Sequence, residues 1–444
     1  MTQLDSASEV NVHQPRRVIT LFTATCVVVA NMIGTGVFTS LGFQAVDIKS
    51  GFVLLLLWFV GGIFALCGAL CYGELAASMP RSGGEYHFLS KIYHPVIGFL
   101  SGWVSVTVGF AAPIALAGIA LGKYMASVFP GLNSTLIAAI AIVFVSSVHL
   151  NNLKFGSSFQ QAFTFLKVFL ILVLIVCGLI LVAPQAISFL PDNDNINLIF
   201  SSPFAISLFY VTYSYSGWNA AVYLASEVKE PEKTLPRSLL FGTLTVMALY
   251  LLLNFIFLYT TPIEKLAGQL EVGYIVAEQI FGRSGAKVMG LLISLGLISS
   301  ISSMVLAGPR VTQAIGEDFP LFSILAKKNR NGVPYWAILF QLAIVLVLLI
   351  TSSFQAVLTY LEFTLILSSF ITVLGLFVYR WKMPEMPRPY KTWGYPFTPI
   401  IFLGISLWML IFSYQARPLE SSLGLLTIVL GLPVYWLANK KKLA

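Results

Sequence analysis

The sequence predicts an all-α integral membrane protein of about twelve transmembrane helices. Three observations carry that prediction. Of the 444 residues, 57% are hydrophobic and only 10% are charged, where a soluble globular chain carries about 25% charged residues. The apolar runs are about 20 residues or longer, enough for a helix to cross the hydrocarbon core. The ten-residue alternation of a membrane β-barrel is absent. Mean hydropathy is +0.87.

Residues 1–17 read as a polar leader. Spans follow at 18–45, 51–78, 96–127, 133–150, 155–183, 203–224, 238–260, 285–312, 334–352, 355–379, 397–414 and 420–437, with 438–444 as a tail. Lys and Arg orient them. With the N-terminus inside, nineteen fall on the cytoplasmic side and six outside, and Lys167 lies within a span. Both termini are therefore expected in the cytoplasm of a multi-pass cell-membrane protein. The net charge of +8 then reflects topology rather than nucleic-acid binding. Cys26, Cys67, Cys71 and Cys177 all sit inside apolar runs, without disulfide or metal-ligand spacing. The four histidines, His13, His87, His94 and His149, lie in the leader, loops or span ends, so no catalytic constellation and no cofactor are expected. No phosphate-cradling loop appears, which argues against ATP-driven chemistry. Asn133-Ser134-Thr135 is a glycosylation sequon in an expected outer loop, read as accidental.

The first span holds Asn31-Met32-Ile33-Gly34-Thr35-Gly36-Val37-Phe38 at its middle. Glycine costs a helix roughly 1 kcal/mol relative to alanine, so the helix can unwind there. Gly-x-Gly also permits close helix packing. Unwound backbone survives in a membrane only where protein or a wet cavity satisfies it. Amides opening the second half-helix suit a carboxylate. Carbonyls ending the first half suit an ammonium. The sixth span repeats the device at Tyr213-Ser214-Tyr215-Ser216-Gly217-Trp218-Asn219. Two breaks five spans apart lie in units of opposite orientation. That is the pattern of an inverted repeat of five plus five helices, 18–183 and 203–379, with helices 11 and 12 at 397–437 added. Paired breaks at mid-membrane are how many secondary transporters bind substrate.

Lys167 lies about 18 Å into its span at 1.5 Å per residue. Its expected company is carbonyl from the broken first helix and the hydroxyls of Ser299, Ser300, Ser302 and Ser303. It reads either as a substitute for a bound cation, able to take part in coupling, or as a structural pin. Glu362, about 10–12 Å deep, is a possible buried acid, protonated or bonded to a hydroxyl such as Thr359 or Thr364. Glu74, near the end of span two, reads as structural. Tyr213, Tyr215 and Trp218 flank the second break and could close over a ligand.

The chain resembles the amino acid–polyamine–organocation (APC) superfamily of permeases, near its L-type and bacterial amino-acid members. The motifs are Gly34-Thr35-Gly36-Val37-Phe38, Tyr72-Gly73-Glu74-Leu75 through Pro80-Arg81-Ser82-Gly83-Gly84-Glu85-Tyr86, and Ser216-Gly217-Trp218-Asn219 followed by Glu227 to Lys233. Gly308-Pro309-Arg310 and Pro387-Arg388-Pro389-Tyr390 complete them. The resemblance implies a LeuT-like fold and amino-acid transport by alternating access. It implies carboxylate binding at Gly34, Thr35 and Gly36. It places the amine at carbonyls near Met32 and Ile33 and in the Tyr213–Ser216 segment, with Tyr213 as a gate. Lys167 falls where many members carry a lysine in place of a sodium site, which leaves proton symport and exchange. Asn219 in place of an acid, and Ser216 in place of glycine, point to neutral amino acids. Some L-type members pair with a glycoprotein through an outer-loop cysteine. None lies outside a span here, so no disulfide-linked partner is expected. Amines or other small metabolites, and a sensor that signals without transporting, are the alternative readings.

Overall fold

The computed structural model describes residues 17–151 and 156–443. Arg16, Lys154 and nearly all of the expected leader lie outside them. Described residues are helical apart from turns, loops and one isolated backbone bridge, Ile19 to Val228.

The first apolar run forms two helices, α1 (Leu21–Met32) and α2 (Gly36–Asp47). Thr20 starts α1, its hydroxyl accepting from the Thr23 N–H at 3.4 Å, as an N-cap side chain does. The run breaks where Ile33 takes ψ of 88°. Then come α3 (Gly51–Ser78), α4 (Glu85–Ile92) and α5 (Pro95–Val104). A π-helical turn, Ser105–Gly109, joins α5 to α6 (Ala111–Val128). α7 (Ser134–Asn151) begins on Asn133, whose Oδ1 accepts from the Leu136 N–H at 3.0 Å, so the sequon asparagine caps a helix. α8 (Gly156–Leu181) and α9 (Asn193–Ile199) follow.

The second broken element starts as α10 (Ser202–Tyr215). It stops because Ser216 turns back, its N–H and hydroxyl both donating to the Tyr213 carbonyl at 3.0 and 2.7 Å. Gly217 then takes φ of +97°, a left-handed conformation that glycine adopts without a Cβ penalty. The 3₁₀ segment Ala220–Glu227 carries the chain on to α11 (Pro231–Thr260) and the short α12 (Ile263–Leu266). α13 (Val272–Asp318) runs 47 residues through a kink at Gly282. A 3₁₀ turn, Pro320–Ala326, precedes α14 (Tyr335–Thr351), α15 (Phe354–Lys382), α16 (Phe397–Ala416) and α17 (Pro418–Leu443).

Among the described residues, nine stretches are long and apolar enough to cross a membrane, counting α1 with α2 and α5 with α6. The fourth and ninth expected spans are shorter apolar helices. The sixth, 203–224, is no continuous helix: only 14 residues are α-helical before the chain turns. Large apolar side chains such as Phe144, Ile180, Phe200 and Ile350 are exposed on the outside, a surface suited to acyl chains rather than water. The four cysteines are free thiols.

α3 packs along α11, α6 along α13, and the broken pair α1–α2 crosses α11 and α10 in the interior. The end of α3 is tied down at Glu74, whose side chain is wholly buried. Arg380 donates to both its oxygens, at 2.9 and 2.6 Å. The Thr392 N–H and hydroxyl donate to Oε2 at 2.7 and 2.8 Å. The Arg380 guanidinium also lies 3.6 Å over the Tyr395 ring. This cluster joins α3 to the end of α15 and to the loop leading into α16.

Candidate functional site

The two breaks meet in the core. A Cβ built on Gly36 would lie 2.5 Å from the Ser214 Cα, and one on Gly217 would lie 2.9 Å from the Asn31 carbonyl carbon. Each contact is backbone against backbone, and only glycine fits. Ser214 completes the first of them: its hydroxyl lies 2.9 Å from the Ser40 hydroxyl and donates to the Tyr210 carbonyl at 2.7 Å.

A cavity of about 480 Å³ opens beside this junction, within the size range of small-molecule sites. Met32, Gly34, Thr35, Gly36, Tyr213, Ser216, Gly217, Trp218 and Asn219 line it, as do Ser303 and Glu362. Ile33, Ser214, Lys167, Ser299 and Ser302 are not among its lining residues. From the breaks the cavity runs past the π-turn to Ser82, Gly83, Glu227 and Arg310 at one end of the molecule. Side-chain contacts cross its other end. There the Tyr213 and Thr35 hydroxyls are hydrogen-bonded, and Phe43 stacks between Tyr210 and Phe354, at 5.2 and 5.5 Å.

The carbonyls exposed by unwinding are largely taken. The Tyr250 hydroxyl donates to Met32 O at 2.7 Å. Tyr213 O already accepts twice from Ser216. The Lys167 ammonium donates to Ile33 O at 2.9 Å and to the Ser300 hydroxyl at 2.8 Å. Lys167 is buried, and its stem passes Gly296 of α13. Ser300 lines the cavity, so one hydroxyl separates the ammonium from it. Of the four serines, Ser300 is the one that meets the lysine. Ser302 instead bonds His149 Nε2 at 2.8 Å, and the Ser303 hydroxyl donates to its own helix at Ser300 O.

Glu362 differs from expectation in its partner. Its Oε2 accepts from Thr212 of α10 at 3.2 Å. The Thr359 and Thr364 hydroxyls donate to helix carbonyls one turn back, Gln355 O and Tyr360 O. Trp218 stands edge-on to Tyr72 at 4.7 Å and fits over Gly68, whose missing side chain leaves room for the indole.

A family described as "Amino acid permease" matches residues 19–433. The chain belongs to the amino acid permease family. The permease is 29% identical to the mouse "Large neutral amino acids transporter small subunit 2" over 436 residues, 95% of this chain and 81% of that one. It is 29% identical to the "Serine/threonine exchanger SteT" of Bacillus subtilis (strain 168), over 96% of this chain and 98% of that one. It is 27% identical to the human "Cystine/glutamate transporter", over 96% and 85%.

The permease cavity also holds residues to which the sequence assigns no place in a site. Glu85 is buried at the start of α4 and lines the cavity. The Tyr72 hydroxyl donates to its Oε1 and the Ser368 hydroxyl to its Oε2 at 2.8 Å. Burial raises its carboxyl above the usual range, against the lowering effect of those hydroxyls. Hydropathy places Glu85 between two spans, where an acid normally faces water. The one hint was its place directly after Gly83-Gly84, which bring the loop back into the protein with φ of +121° and +54°. Arg310 and Tyr223 line the same end.

Proposed function

We propose that this permease moves neutral L-amino acids across the cell membrane by sodium-independent exchange and alternating access. The observation that carries the reading is the meeting of two interrupted helices, glycine against backbone, on one cavity. The proposed architecture is twelve spans, with 18–183 and 203–379 as inverted five-helix repeats and both termini in the cytoplasm. In that orientation the cavity is open inward and the Thr35–Tyr213 contact closes the outer side.

The N–H groups of Gly34, Thr35 and Gly36, at the positive end of α2, take the carboxylate. Each carbonyl oxygen has two lone pairs, so Met32 O keeps one for the substrate ammonium. Ile33 O serves Lys167 instead. Ser216, Trp218 and Asn219 border the substrate from the second break, and Tyr213 gates it. Lys167 supplies at Ile33 and Ser300 the positive charge that a sodium ion would bring. The relatives named for large neutral amino acids and for serine/threonine exchange support the substrate class and the exchange step.

The test is uptake of labelled amino acids into proteoliposomes. Uptake should require an unlabelled amino acid inside and should be the same in sodium and choline buffers. Uptake into empty vesicles driven by an inward proton gradient would replace exchange by proton symport, and a requirement for sodium would remove the reading altogether. Lys167→Ala strips donors from a buried carbonyl and a hydroxyl, a loss of about 1–3 kcal/mol. Exchange should fall about tenfold or more in protein that still purifies as a single species. Wild-type exchange in that variant would reduce Lys167 to a pin.

A further inference from the structure

We propose that Glu362 is a specificity-determining residue of the cavity, selecting amino acids whose side chains carry an uncharged hydrogen-bond donor. The inference rests on the amino-acid reading above and narrows it.

Glu362 belongs to the cavity wall, next to Thr212, and is 2% exposed. Its Oε1 has no hydrogen-bond partner. Its Oε2 has only the Thr212 hydroxyl. That hydroxyl also lies 3.0 Å from Leu208 O and 3.1 Å from Phe209 O. One proton therefore serves three acceptors. The ion pairs formed by the described residues involve Glu74, Glu230 and Glu317, not Glu362. The carboxyl is thus short of donors from the protein, its unpaired oxygen is buried, and the residue that carries it lines the cavity.

The chemistry of the unpaired oxygen narrows what can fill that need. A carboxylate on the ligand side chain is an acceptor only and brings no donor to it. A purely apolar side chain would leave Oε1 unpaired. A hydroxyl or amide N–H supplies the missing donor. A site built for a donor rejects the isostere that lacks one far better than an apolar pocket separates methyl groups. A side-chain ammonium would have to shed its water beside a buried group, so an uncharged donor is the better fit.

Threonine and valine have the same shape and differ by a hydroxyl in place of a methyl. Each is to compete against labelled substrate in proteoliposomes holding the wild-type permease. Threonine should compete about tenfold or more better than valine. In Glu362→Leu the ratio should fall to within about threefold. Glu362→Gln keeps an acceptor and should keep the preference. A ratio of two competitors on one preparation does not depend on how much protein is folded, and Glu362→Met serves if the leucine variant cannot be purified. Equal competition by threonine and valine in the wild type overturns the inference alone. An unchanged ratio in the leucine or methionine variant does the same, as does lysine competing better than threonine. A wild-type permease that takes up no amino acid overturns the reading beneath it as well.

Discussion

Gly36→Ala should abolish exchange and destabilise the permease, whereas Gly34→Ala should fold like the wild type and lose only affinity. The structure separates them. A Cβ on Gly36 lands 2.5 Å from the Ser214 Cα, in contact with backbone that cannot swing aside. Overpacking of this kind costs roughly 1–3 kcal/mol or more, and it pushes α2 away from α10 at the point where the cavity is formed. A Cβ on Gly34 meets nothing nearer than Met32 O at 3.9 Å. There the methyl group would point into the space proposed for the substrate carboxylate, so the half-saturating concentration should rise about tenfold. Thermal unfolding of detergent-purified variants, with and without amino acids, reads both effects. A ligand at about 100 times its dissociation constant adds about 2.7 kcal/mol of stability, and that increment should vanish for Gly36→Ala. A normal ligand-induced shift in Gly36→Ala would remove the junction from the site.

Arg380→Ala should be the most destabilising single change outside the cavity. It leaves the buried Glu74 carboxylate with Thr392 and with Arg388, whose Nε stands 3.9 Å away. Removing one partner of a buried ion pair costs about 3–5 kcal/mol, mostly the penalty of the stranded charge. Replacing both partners, Glu74→Gln with Arg380→Met, should cost clearly less than Arg380→Ala alone. The unfolding midpoints of the three proteins decide it. If Arg380→Ala matches the wild type, water reaches Glu74 and the cluster carries little.

The helical membrane class could be read directly, because apolar runs and scarce charges are local properties. The first break could be read for the same reason. Gly34 and Gly36 stand out against valine and alanine, and the helix stops at Ile33 just before them. Lys167 announced itself as a lone cation in an apolar run, though which serine faces it depends on the rotation of α13, and Ser300 rather than Ser299 or Ser302 is turned toward it. Other features depend on residues far apart in sequence. Tyr250 caps Met32 O from 218 positions away, and no spacing rule connects them. Ser214 sits in the second broken segment but turns toward Ser40, because α2 and α10 press together there. Glu362 looked to its own helix for a hydroxyl and found Thr212 on another. Glu85 shows the opposite failure: a residue placed in a loop by hydropathy is carried inward by the two glycines before it.

The ammonium of Lys167 is delivered to Ile33 by a covalent stem. A dissolved ion in that place would leave as the medium is diluted, and the kinked segment between α1 and α2 would slacken with it. A tethered donor has a local concentration set by chain geometry alone, so the kink should keep its shape in salt-rich and salt-poor surroundings alike.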